Sequence, residues 1–399
     1  MSDARLVGTL CLVHALSLLS MASYPALLPT FISLWDLTNT EAGWIAGIYY
    51  AGYMMAVPVL ASATDHIDAR RIYLAASAVT CAATLGFALF ADGFWSALLF
   101  RFCAGIGLAG TYMPGLKALT DRLSGANESR YVAFYTAIFG LGVSLSFLMS
   151  GEVAAWFGWR AAFLTGAAGS AVAFVIFAVV VAPRDQSGDR PETLILDFRP
   201  VLRGREAMGY MLAYAAHAWE LFAMREWMVA FLTFAIAYQA LTDVPVRPTV
   251  IVAVVNLMGL FSSIIGNEVA VRYGRRRLIT IAMWSSATVV GVLGFTAGWP
   301  YLLIAGLCVI HGITVSTDSA SLTAGAVQAA RRGYRGTTLA LHSTFGFAAG
   351  FLGPLGVGVV LDVSGGDSVI SWGLALLSMG VVAALGPIAL ALVRNRSKG

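Results

Sequence analysis

His217, Glu220 and Met224 fall at positions i, i+3 and i+7 of one apolar run, with Tyr214 a turn earlier. On a helix all four share a face. A carboxylate in a low-dielectric setting holds a proton more readily, and a nearby imidazole or guanidinium opposes this. Glu220 is therefore suited to binding and releasing a proton. The same geometry suits a static Glu–His or Glu–Arg pair that fixes helix packing, with Arg225 about one turn further on and Trp219 beside it. A second run carries His311, Thr314, Asp318 and Ser321 at i, +3, +7 and +10. Such a face turns to a cavity or to a neighbouring helix, never to lipid. Asp318 is a second candidate proton carrier, or part of an inner gate. Arg101 is a permanent charge whose planar fork matches a carboxylate. With Tyr112 on the same face, it makes a candidate anion site; its alternative is bonding to backbone carbonyls of the next helix. His14, Ser17, Ser20 and Tyr24 form one more polar face, and Pro25 and Pro29 should kink the helix that carries it. His342 is read as satisfying a packing bond.

The elements that position these residues follow from composition. The chain has 399 residues, 59% hydrophobic and only 12% charged, about half the charge of a soluble domain. Its mean hydropathy is +0.79. This excludes a disordered chain, a nucleic-acid-binding domain and an ordinary soluble enzyme. Twelve runs approach the ~20 apolar residues that cross a bilayer: 6–34, 43–63, 72–91, 94–119, 131–155, 160–181, 208–237, 250–271, 278–298, 302–328, 337–361 and 369–393. Backbone groups in lipid must be satisfied within the segment, so the runs are read as helices, and the expected class is an all-α integral membrane protein. Of the 25 Lys and Arg residues, 21 gather on one side of the runs. The positive-inside rule makes that side, with both termini, cytoplasmic. The opposite loops carry Trp35, Trp44, Trp95, Trp156, Trp159, Trp299 and Trp372, an interfacial aromatic belt. The four cysteines all lie in apolar runs and read as core residues. His14, His217, His311 and His342 lie in four different runs, with no metal-ligand spacing. No phosphate-binding loop of the Gly-x-x-x-x-Gly-Lys-Ser/Thr kind occurs. No cofactor, no metal, no catalytic residue and no enzymatic activity are expected.

The most polar stretch divides the chain into 1–183, a cytoplasmic linker 184–206 and 207–399, six runs on each side. The halves echo each other. Ala61-Ser-Ala-Thr-Asp65-His-Ile-Asp-Ala-Arg70-Arg71 follows the second run, and Asn267-Glu-Val-Ala-Val-Arg272-Tyr-Gly274-Arg275-Arg276-Arg277 the eighth. Likewise Tyr131 to Gly140 opens the fifth run as Thr337 to Gly346 opens the eleventh. With this repeat, the chain resembles the major facilitator superfamily. Asp65, Arg70 and Arg71 match its loop motif Gly-x-Leu-Ala-Asp-Arg-x-Gly-Arg-Arg, whose leading Gly, first Arg and second Gly are Ala61, His66 and Asp68 here. Arg101 with Gly105 is similar to its second motif. His217-Ala-Trp219-Glu220-Leu-Phe-Ala-Met-Arg225-Glu226-Trp227, with a Gly-Pro-rich eleventh run, resembles bacterial members of the nitrate- and cyanate-porter kind. The nitrate porters' arginines in spans two and eight have no counterpart.

The resemblance implies two six-helix bundles, twelve spans in all, with a cavity between them and alternating access. It implies a secondary transporter in the inner membrane, monomeric, with a small solute, a proton and the lipid bilayer as its partners and no nucleic acid. An organic anion is the expected cargo, held by Arg101, Tyr112, Tyr24, His217, Trp219, Arg225, His311 and Thr314. Glu220 and Asp318 would carry the proton. Asp65, Arg70, Arg71, Asp121 and Arg122 would form a cytoplasmic latch. Two alternatives stand beside this. One is proton-driven efflux of a hydrophobic or cationic compound. The other is a non-transporting sensor, which the short tail after Val393 disfavours. Gly43, Gly47, Gly346, Gly350, Gly353, Gly356 and Gly358 are expected to let helices approach closely.

Overall fold

The computed structural model describes residues 3–64, 66–123, 128–184, 198–331 and 334–395. Asp65 and most of the expected linker lie outside them. The described residues form helices and short connections, with no strand. In chain order the helices are α1 (Asp3–Ser17), α2 (Ser23–Ala26), α3 (Leu28–Trp35), α4 (Asn39–Ala63), α5 (Ala69–Phe90), α6 (Phe94–Thr120), α7 (Glu128–Phe157) and α8 (Trp159–Val180). They continue as α9 (Arg199–Leu202), α10 (Arg205–Tyr238), α11 (Pro248–Tyr273), α12 (Arg275–Leu293), α13 (Tyr301–Ser316), α14 (Ser319–Gln328), α15 (Arg335–Val363) and α16 (Val369–Asn395). Among the described residues, ten spans are long and apolar enough to cross a membrane, one of them combining α13 and α14.

The chain divides into two compact units. One comprises Met1–Leu27 and Ile48–Ile195, the other Leu28–Gly47 and Leu196–Gly399. The first has a core of Leu10, Val13, Tyr73, Leu119, Tyr135 and Phe177 among others. The second is centred on Tyr210, Met211, Ile279, Met283 and Leu322. In the second unit, α4 enters against α15 along a glycine seam. A Cβ at Gly43 would lie 2.7 Å from the Pro354 carbonyl oxygen, and one at Gly47 would overlap that of Phe351. The small residues thus allow the backbone contact expected of them.

The first apolar run is broken. The helix ends at Ser17, and after a turn over residues 18–22 the run resumes as α2, which contains Pro25, and then α3 beyond Leu27. A proline has no N–H to give the carbonyl four residues earlier, which here is that of Met21. Arg101 on α6 serves it instead, Nη1 donating to Met21 O at 3.3 Å. Ser146 on α7 completes the repair: its Oγ donates to Leu19 O at 2.6 Å and accepts from Ala22 N at 2.9 Å. The tenth run also breaks, between α13 and α14, at Thr317 and Asp318. Ser262 on α11 donates to Ile313 O at 2.7 Å beside that break.

Candidate functional site

Among the described residues, the densest group of buried ionisable side chains lies within the second unit. It draws on α10, α12, the α13–α14 break and α15. Glu220 on α10 is 1% exposed. Its Oε1 accepts from Ser286 Oγ on α12 at 2.6 Å and lies 3.0 Å from His311 Nε2 on α13. One turn earlier on α10, His217 Nδ1 is 2.9 Å from Asp318 Oδ1, at ion-pair distance but not aligned as a hydrogen bond. His217, His311 and Asp318 are as deeply buried as Glu220. His342 on α15 shares a hydrogen bond with Thr323 Oγ1 at 3.1 Å, and its ring stacks on Tyr214 at 3.8 Å. Tyr214 in turn stacks on His217 at 5.7 Å. His217 Nε2, His311 Nδ1 and His342 Nδ1 have no hydrogen-bond partner among the described residues.

The Glu220–His311 contact can be written in two ways, as a neutral hydrogen-bonded pair or as an ion pair. A proton moving a fraction of an ångström separates the two. Buried charges persist only when paired, so the two Glu/Asp–His contacts can redistribute protons without exposing a lone charge to the interior. Ser286 donates to the glutamate and holds its oxygen in place.

The sequence reading offered Glu220 either His217 or Arg225, its neighbours on α10. In the fold its partner is His311, and His217 turns to Asp318. The pairs cross because the later residue on α10 meets the earlier one on the tenth run, as an antiparallel pair of helices requires. Arg225 points elsewhere, Nε donating to Asn256 Oδ1 at 3.2 Å with its guanidinium over Phe222. Asp318, a candidate proton carrier or gate residue from the sequence, is 1% exposed. Thr314 bonds back to carbonyls of its own helix, Ile310 and His311. Trp219 packs on α15, where a Cβ at Gly356 would lie 2.7 Å from its ring. Ser286 was missed, although two adjacent hydroxyls, Ser285 and Ser286, in an apolar run were a signal for it.

The remaining residues named from the sequence lie in the first unit. Arg101 is 3% exposed. Besides serving Met21 it sits over the rings of Tyr49 at 4.4 Å and Tyr24 at 5.2 Å. Tyr112 packs against His14 and Phe139, and His14 stacks on Tyr135 at 4.5 Å. At the arginine-rich end, Arg70 donates to the carbonyls of Ala178 and Val181 at the end of α8. Arg122 donates to those of Ala118 at 3.0 Å and Ala182 at 2.6 Å. Asp121 pairs with Lys117 at 3.3 Å, and its carbonyl accepts from Arg184. Arg71 is exposed. The residue joining this group is Asp68, which the motif reading had taken only as a departure from glycine. It accepts from the backbone N–H of Arg70 at 3.0 Å and of Arg184 at 2.8 Å, and lies 3.6 Å from Arg122. Burial pushes its carboxyl pKa up, but these donors and the Arg122 charge outweigh that and hold it below the usual carboxylate range.

At the opposite end of α4 a second carboxylate caps a helix. Asp362 of α15 accepts from Asn39 N at 3.0 Å, Asn39 Nδ2 at 2.9 Å and Thr40 N at 2.7 Å. Thr38 and Glu41 close a capping box on the same turn, each accepting from the other's backbone N–H.

Apolar spans and broken helices at two runs define a multi-pass α-helical membrane protein. The family model described as Major Facilitator Superfamily matches residues 10–250, and the chain belongs to that family. Among curated relatives, it is 27% identical over 150 residues to the niacin transporter NiaP of Acinetobacter baylyi, covering 38% of this chain and 34% of that one. It is 25% identical over 172 residues to a probable sphingolipid transporter, spinster homolog 1, of Arabidopsis thaliana, covering 41% and 35%. The matched stretches thus span about a third of these relatives' length. The fold is similar over nearly the whole chain to the nucleoside transporter NupG, with a TM-score of 0.77, 14% identity and coverage of 98% and 99%. A bacterial homolog of the human lysosomal transporter Spinster gives a TM-score of 0.76 at 15% identity, covering 98% and 95%.

Proposed function

We propose that this protein is a secondary active transporter that moves a small organic anion across the cytoplasmic membrane by alternating access, coupled to protons. The buried Glu220–His311–Ser286 contact beside His217–Asp318 carries this reading. A site that must be protonated in one conformation and deprotonated in another needs a carboxylate away from bulk water with a base in reach. Glu220 meets both requirements within one unit of the fold. Adding one proton to two neutral acid–imidazole pairs leaves one buried positive charge, and an anionic solute would offset it. The relative named as a niacin transporter fits a cargo of this kind.

The topology of the proposal is twelve spans in two six-span halves, 1–183 and 207–399, joined by the linker 184–206. The broken first run, α1 to α3, and the less apolar α12 add to the ten long spans. Both termini face the cytoplasm. Asp65, Arg70, Arg71, Asp121 and Arg122 belong to the arginine-rich end, where Asp68 now joins them, and Asp362 is its counterpart at the other end. Arg101 is assigned to the break in the first span and Arg225 to Asn256. Solute contacts are proposed for Tyr112, Tyr24, His217, Trp219, His311 and Thr314.

Glu220→Gln copies the protonated carboxyl without its exchangeable proton. In proteoliposomes it should abolish accumulation driven by a pH gradient yet leave substrate counterflow measurable. The substrate panel is small carboxylates with lipophilic cations as the contrast. Full gradient-driven uptake by Glu220→Gln would place the proton elsewhere, with Asp318 tested next. Uptake confined to the cations would favour efflux of hydrophobic compounds.

A further inference from the structure

Outside the acid–imidazole cluster, the second unit has a cleft between α12 and α16. It measures about 330 Å³ and is lined by Arg276, Thr280 and Trp284 on one helix and Pro387, Ile388 and Leu390 on the other. The three α12 residues recur every four positions and so form one stripe. Beyond the cleft the two helices are in close contact: a Cβ at Gly380 would lie 2.7 Å from the Ala287 carbonyl oxygen. Pro387 interrupts the hydrogen bonding of α16 at the cleft itself.

The walls and the rim differ in chemistry. Trp284 is 47% and Ile388 46% exposed, side chains that in a membrane protein face acyl chains. The polar mouth is Arg276, in the first turn of α12. Arg276 bonds Glu206 Oε1 at 2.7 Å, on the first turn of α10, and lies 5.9 Å from the Tyr210 ring. Arg275 bonds Gln328 on α14. Arg276 thus stands at the mouth of an apolar slot, its carboxylate partner Glu206 mostly exposed, with Arg275 and Arg277 adding positive charge on the same helix turn.

The geometry points to this cleft as a binding site for one anionic phospholipid. Its phosphodiester sits at Arg276 and one acyl chain lies along Thr280, Trp284 and Ile388. A soluble anion would satisfy Arg276 and leave the slot unfilled. A zwitterionic lipid would fill the slot without answering the charge. Basic clefts between spans at the membrane surface are suited to acidic headgroups. The phosphate would compete with Glu206 for Arg276, so occupancy also bears on the foot of α10, the helix that carries His217 and Glu220.

Native mass spectrometry of the purified protein in an equimolar mixture of phosphatidylglycerol and phosphatidylcholine tests this. One phosphatidylglycerol should be retained in preference, and glycerol 3-phosphate should not displace it. Arg276→Gln should lower that preference about fivefold, the effect of one basic residue near a charged headgroup. Phosphatidylglycerol with brominated chains should quench a tryptophan component that Trp284→Phe lacks. That measurement decides the matter if Arg276→Gln fails to fold. Equal retention of the two lipids, an unchanged preference in folded Arg276→Gln, or identical quenching in Trp284→Phe would overturn the site. Displacement by glycerol 3-phosphate would reassign it to a soluble anion and overturn the lipid reading.

Discussion

Asp68 shows how a single side chain can hold several elements. Its carboxylate caps the first turn of α5, receives the Arg184 backbone N–H and faces Arg122. Because its pKa in the fold is below the unfolded value, its contribution to stability is complete above the ordinary carboxylate pKa of about 3.9. That contribution is lost as pH falls through the lower value of the folded state. Asp68→Asn keeps a capping oxygen but loses the charge that faces Arg122 and the helix N-terminus, and should cost about 0.5–1 kcal/mol at neutral pH. The wild-type advantage in melting temperature should shrink as pH is taken from 6 towards 3. A constant difference across that range would mean that the charge of Asp68 contributes nothing. At the same scale, Glu220 and Asp318 differ in how well they are held. Glu220 has an aligned hydroxyl donor in Ser286, whereas neither Asp318 oxygen has an aligned partner among the described residues.

At the scale of elements, the break in the first span and its repair form one device. Pro25 removes the donor for Met21 O, and Arg101 supplies another. Arg101→Met should therefore destabilise the protein by roughly 1–3 kcal/mol, the cost of an unsatisfied buried carbonyl. Pro25→Ala restores an N–H at the right place. The double variant Pro25→Ala/Arg101→Met should then be more stable than the sum of the two changes, with a coupling on the order of 1 kcal/mol in thermal denaturation. Strict additivity would show that Arg101 acts independently of the proline break, and would reopen its use as an anion contact. The α4–α15 seam makes a second prediction. Asp362→Ala leaves the Asn39 and Thr40 N–H groups without their acceptor. It should lower stability by about 1–2 kcal/mol, while Asp362→Asn, which keeps an acceptor oxygen, should cost less. Equal loss in both would point to charge rather than hydrogen bonding.

For the molecule as a whole, the arginine asymmetry orients the proposed topology. His66 and Asp92, both exposed, sit at opposite ends of α5. Single cysteines at these positions should label from opposite sides of the membrane, His66→Cys from the cytoplasm and Asp92→Cys from outside. Labelling of both from one side would refute the span assignment of α5. A thermal-shift screen of the intact protein against carboxylates and lipophilic cations bears on the cargo, since a ligand that binds the folded state raises its melting temperature by mass action.

Hydropathy and charge are sums over local sequence, and they were legible without coordinates. The helical class, the long spans and the polar faces of spans seven and ten followed from them, and the close approach at Gly43 and Gly47 followed from the small residues there. The position of Pro25 in the first span was legible too, although not the fate of the carbonyl it releases. Partner choice was not legible. Glu220 meets His311 across 91 residues, and neighbours on one helix say nothing about which neighbour a third helix will engage. That choice depends on the antiparallel register of α10 with the tenth run and on the break at Thr317 and Asp318. Both are set by packing between distant segments. Asp68 and Asp362 were opaque for the same reason. A carboxylate at a helix end looks like interfacial charge until the fold brings unpaired backbone N–H groups to it. Local composition decides which groups must find partners in a membrane, and only the tertiary structure decides which partners they find, because a buried polar group is satisfied by distance and direction rather than by position along the chain.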